Sequence, residues 1–132
     1  MREILFRAKR EATNEWVYGY FVNEYDDFQI YVQPQIITRS GREYVNENTL
    51  GQFTGLTDKN GVKIFEGDIV RYGDTIHKVV FEQRNGTAYF GLVYSPIETL
   101  PFGHYQDLQQ LEVIGNIYDN PELIGGADDE NT

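Results

Sequence analysis

The strongest constraint in the chain is a period-two alternation of apolar residues, broken by glycine-containing corners. Successive side chains of an extended strand leave opposite faces, so this period signals β structure rather than amphipathic helix. In residues 16–22, Trp16, Tyr18, Tyr20 and Val22 share one face, and Val17, Gly19 and Phe21 share the other. Both faces carry apolar groups, so this strand is expected to be buried on both sides. Phe28, Ile30 and Val32 mark a further short strand over 28–32. Residues 4–8 are expected to pair with 16–22, with the polar stretch 9–15 as a long hairpin loop.

Turn chemistry orders the rest. Ser40-Gly41, Asn60-Gly61, Gly73-Asp74 and Asn85-Gly86 fall between apolar runs at 36–38, 43–45, 62–65, 68–72, 75–81 and 87–94. Asn and Gly tolerate the positive φ that tight hairpins need, which predicts an antiparallel meander over 68–94. No long helical stripe is present, and 48–53 and 105–111 are each expected to form a turn or two of helix. A last strand is expected over 111–118, stopped at Asn120-Pro121, because proline cannot donate to a ladder. Gly125-Gly126 with Asp128, Asp129 and Glu130 reads as an acidic flexible tail over 124–132.

Composition removes several classes of function. There is no cysteine, which excludes a disulfide framework, an iron–sulfur site, a zinc finger and a thiol nucleophile. A reducing cytoplasm suits such a chain. No run approaches the ~18 apolar residues of a membrane span, and the apolar run at the N-terminus is too short for a signal peptide. A soluble cytoplasmic protein with no membrane partner is therefore expected. Arg2, Arg7, Lys9 and Arg10 make the start basic, but the formal net charge is −10. An acidic body repels phosphate, so direct nucleic-acid binding is disfavoured. At 132 residues the chain suits one domain, or a domain with a subdomain.

Several motifs recur together. Thr49-Leu50-Gly51-Gln52-Phe53-Thr54-Gly55-Leu56-Thr57-Asp58-Lys59-Asn60-Gly61 leads into Ile64-Phe65-Glu66-Gly67-Asp68-Ile69-Val70. Glu112-Val113-Ile114-Gly115-Asn116-Ile117-Tyr118-Asp119-Asn120-Pro121-Glu122-Leu123 follows later. With the opening Phe6-Arg7-Ala8 and Trp16-Val17-Tyr18-Gly19-Tyr20, this order resembles the YopX family of bacteriophage and prophage proteins. The likeness runs from residue 1 to about 124, leaving the middle loop 95–104 outside the pattern. It implies a phage or prophage origin and a small, mainly β protein with a barrel-like core, and it assigns no catalytic or ligand residues.

The polar residues in these motifs read first as structure. Glu66-Gly67-Asp68-Ile69-Val70 has the Gly-Asp-x-Val step that often opens a strand in SH3-like barrels. Gly67 supplies the bend, and Asp68 accepts nearby backbone N–H groups. The competing reading is an acid pair, Glu66 with Asp68, joined by His77 in a nucleic-acid- or nucleotide-directed enzyme. Asp58-Lys59-Asn60-Gly61 lacks the further oxygen ligands of a calcium loop and reads as a hairpin turn. His104, three residues before Asp107, reads as a surface or capping group.

The expected architecture is mainly β: a small SH3-like antiparallel barrel over 50–123, an N-terminal β hairpin layer over 1–49, the tail, and one or two short helical turns. The expected function is contact with a protein partner or with itself as a homo-oligomer. No catalytic residue, cofactor or metal is assigned. Trp16, Tyr18 and Tyr20 are the expected anchors, with Arg7 and Arg10 at the rim. Besides the enzyme, an acidic nucleic-acid mimic that inhibits a host protein is a further alternative.

Overall fold

The computed structural model describes residues 3–23, 28, 33–84, 86–95, 98–102 and 108–125. The chain is mainly β, as the alternation predicts; its described residues hold two five-stranded sheets and two short 3-10 turns, Leu108–Gln110 and Pro121–Ile124. It forms two compact units, Met1–Phe53 and Thr54–Thr132.

The first unit contains β1 (Phe6–Arg10), β2 (Trp16–Val22), β3 (Gln35–Thr38) and most of β4 (Gly41–Thr57). Each strand pairs antiparallel with the next, and β4 also pairs with β1, so the pairings run round a ring. The ring contains a long irregularity. Lys9 lies opposite Asn46 but Arg7 lies opposite Gly51. Within this bulge the Lys9 amide donates to Thr49 Oγ1 (2.8 Å), and the Thr49 hydroxyl donates to the Asn46 carbonyl (2.6 Å). The expectation of a helical turn over 48–53 is therefore corrected to strand. Asn46 Oδ1 and Thr49 Oγ1 accept from backbone amides of the bulge there.

Ala8, Val17, Ile36 and Val45 are buried inside the ring, with Phe6, Phe21 and Leu50 packed against them. β2 turns Val17, Gly19 and Phe21 inward, while Tyr18 and Tyr20 remain exposed. The expectation that β2 is buried on both sides is thus corrected, because a ring of strands encloses one face of each. The expected strand 28–32 lies outside the described residues except for Phe28.

In the second unit the end of β4 pairs with β5 (Lys63–Phe65), where the Thr54 hydroxyl donates to the Ile64 carbonyl (2.8 Å). β6 (Asp68–Tyr72), β7 (Thr75–Arg84), β8 (Thr87–Ser95), β9 (Glu98–Pro101) and β10 (Leu111–Asn116) form the second sheet, in the order β10-β6-β7-β8-β9. The β6–β8 meander follows the turn signals: a two-residue corner joins Tyr72 to Thr75, and Arg84 lies opposite Thr87, with Asn85 outside the described residues. β9 falls in the segment 95–104 read as a loop, because Pro101 and the lack of alternation hide an edge strand. Ile64, Val70, Val79, Leu92 and Leu111 form the core, with Leu56, Tyr72, Phe102 and Val113 against it. His104 and the tail from 126 onward lie outside the described residues.

The turn from Asp58 to Val62 is tied to distant β10 by one side chain. Asp58 Oδ1 accepts from the amides of Asn60 (2.8 Å) and Val62 (2.9 Å), and Oδ2 accepts from the amide of Val113 (2.8 Å). Burial pushes this carboxyl up, but the amides of Val113, Val62 and Asn60, with the charge of Lys59, outweigh it and hold it below its ordinary value. A carboxylate with a lowered folded-state pKa stabilises above its unfolded pKa, and that stability drains as pH falls through the folded value. The wild-type urea midpoint is therefore expected to drop below about pH 4. Asp58→Asn should lack this part of the drop, and equal pH slopes for the two proteins would refute the assignment.

Candidate functional site

The outward residues of β2 form the candidate surface. Register places Tyr18 opposite Arg7 and Trp16 opposite Lys9 on β1, and Tyr20 opposite Ile37 on β3. Residues opposite one another share a face, so this outer face of the ring carries an aromatic row beside two cations. Arg7 Cζ sits 4.5 Å from the centre of the Trp16 ring, and Lys9 Nζ 5.5 Å from it. Cation–π attraction of this kind holds the indole against the Arg7 and Lys9 side chains of β1. Tyr18 and Tyr20 are left 48 % and 64 % exposed. Exposed aromatic rings on a sheet are uncommon unless something covers them, because each ring leaves a large apolar area in water.

The two arginines expected at the rim are placed differently. Arg7 is 6 % exposed, so it supports Trp16 from within the surface. Arg10 lies opposite Val45, in the inward-pointing series. Its guanidinium donates to Glu43 Oε1 (3.0 Å) and Glu15 Oε1 (2.7 Å). The hydrogen bond to Glu43 is the main reason its pKa is raised further. Arg10 thus closes an ion-pair cluster at an end of the ring, on a different face from the tyrosines. The spacing of Arg7 and Arg10 along β1 contains this distinction: residues three apart on a strand point to opposite faces.

Asp68 and His77 of the competing acid–histidine reading are both held by structural partners. Glu66 lies in the turn joining β5 to β6. Asp68 is buried, and its Oδ2 accepts from the Phe65 amide (2.7 Å), which is the local role expected from the motif. His77 Nδ1 donates to the Val93 carbonyl (3.0 Å), and its Nε2 lies 2.8 Å from the Thr75 hydroxyl. The ring also packs on Tyr94, with centroids 4.2 Å apart. Both ring nitrogens are engaged by structural partners. Among the described residues, no group of three His, Asp or Glu is placed to hold a metal ion, and no helix is long and apolar enough to cross a membrane.

Asp58 carries more structure than the sequence suggested. A turn role was legible from Asn60-Gly61, and Gly61 has φ +82°. Its bond to Val113 was not, because that partner is 55 residues away.

A family model described as YopX protein matches residues 5–125. The chain belongs to the YopX family. The match covers both units and includes the outer face of β2, the Asp58 turn and β10. The crystal structure of protein EF1440 from Enterococcus faecalis is similar, with 26 % identity and a TM-score of 0.54 over 94 % of this chain and 99 % of that one. No curated protein matches the chain.

Proposed function

We propose that this YopX-family chain is a phage- or prophage-type accessory protein of the cytoplasm that acts by contact, first with further copies of itself, and without catalysis. The observation that carries this reading is the exposed Tyr18–Tyr20 row beside the clamped Trp16 on one face of β2. Rigid aromatic side chains are the usual anchors of protein interfaces, since they bury much area for little lost rotamer freedom. Asp68 and His77 of the enzyme reading are engaged by backbone and side-chain partners. The formal charge of −10 weighs against phosphate as the ligand.

The test is the mass of the full chain by light scattering over a wide concentration range. The wild type is expected to assemble into a closed homo-oligomer. Tyr18→Ser with Tyr20→Ser should weaken that assembly by about 100-fold, since each lost aromatic anchor at an interface costs on the order of 1–2 kcal/mol. A wild type that stays monomeric throughout, or a double variant that assembles as tightly, removes the self-association reading.

A further inference from the structure

The outer edge of β10 is closed without another strand. Among the described residues, β10 is the last strand of its sheet and pairs with β6 alone. Leu111 and Val113, two residues apart, direct backbone groups to the side away from β6. The Leu111 carbonyl accepts from the Lys59 amide (2.9 Å), and the Val113 amide donates to Asp58 Oδ2 (2.8 Å). A carboxylate oxygen therefore stands where a neighbouring strand would present a carbonyl. Farther along, the Asn116 amide donates to Asn120 Oδ1 (3.2 Å). Gly115 permits that approach, because a Cβ there would lie 2.6 Å from the same oxygen.

We propose that Asp58 is an edge guard, and that the β10 edge beneath it is a latent strand-addition site for a second copy of this chain. Unpaired strand edges recruit other strands, and folded proteins block them with short covering segments and charges. The edge is self-complementary. About a twofold axis through Glu112, Leu111 of one copy meets Val113 of the other, and each offers the group that Lys59 or Asp58 supplies within one chain. Glu112 opposes this pairing, since its two copies would face each other across the axis. Lys59 Nζ, at 3.9 Å, and Arg71 Nη1, at 3.6 Å, lie beside the Glu112 carboxylate and temper that repulsion. The charge of Lys59 acts on Asp58 directly, and Lys59 and Arg71 both lie beside Glu112. Association through β10 is separate from association through Tyr18 and Tyr20, because the β10 amides report on it directly.

The experiment is amide hydrogen exchange on the full chain carrying Asp58→Asn at neutral pH, dilute and concentrated, with light scattering alongside. In dilute solution the amides of Asn60, Val62 and Val113 should exchange at least about ten-fold faster than in the wild type, because hydrogen bonds to a charged acceptor have been weakened. In concentrated solution the Val113 amide should regain protection as the mass rises. Adding Glu112→Gln should shift this recovery to lower concentration, and Glu112→Gln alone should leave the wild-type exchange unchanged. Wild-type protection of Val113 in Asp58→Asn overturns the guard, and deprotection at every concentration overturns strand addition. If Asp58→Asn loses its fold, acid titration of the wild type decides. Deprotection of Asn60, Val62 and Val113 at a higher pH than the β7 amides upholds the guard, and simultaneous loss refutes it.

Discussion

Gly19→Ala is expected to destabilise the first unit by about 4 kcal/mol, at the severe end of single substitutions. A Cβ built on Gly19 would lie 2.0 Å from the Ile37 carbonyl oxygen and 2.9 Å from its carbon. Both atoms belong to backbone, so no rotamer change relieves the overlap. Moving them would break the register in which Tyr20 lies opposite Ile37 and Phe21 opposite Ile36. The same shift would disturb Ile36, which is fully buried inside the ring. Trp16 is the single tryptophan and belongs to this unit, so its fluorescence during urea unfolding reads the effect there. A midpoint within about 0.5 kcal/mol of the wild type, the scatter of neutral surface changes, would show that the close approach is not real.

The second large effect is expected at Asp68. This carboxylate is 2 % exposed and accepts the Phe65 amide at 2.7 Å across the turn that leads from β5 into β6. Asp68→Ala should cost about 3 kcal/mol, since it removes a charge-assisted bond and leaves a buried donor unsatisfied. Asp68→Asn, which keeps an oxygen of the same reach, should recover part of that. The measurement is urea unfolding followed by circular dichroism. A fully stable Asp68→Ala protein would reopen the view that this residue is kept for chemistry rather than for shape.

The alternation in 16–22 and the corners at 73–74 and 85–86 were sufficient to read β2 and the β6–β8 meander, because period and turn chemistry are local. Asp68 was legible for the same reason, its partner being three residues away. The aromatic row on β2 was also visible as a shared face, but not as an exposed one. Exposure depended on which side the ring enclosed, and that was set by β4 reaching back to pair with β1. Arg7 and Arg10 show the same limit. Both are basic residues of one short strand, yet one lies under Trp16 and the other pairs with Glu43 and Glu15.

From its sequence alone, this protein is committed to antiparallel strands, to its corners and to the YopX family, since these depend on residues close together in the chain. Tertiary structure decided which face of β2 meets water, that residues 48–53 extend β4 rather than coil, and that Asp58 closes an edge 55 residues away. These outcomes come from strand pairing between distant segments. Neither a hydrophobic period nor a turn motif encodes which distant backbone group a side chain will meet.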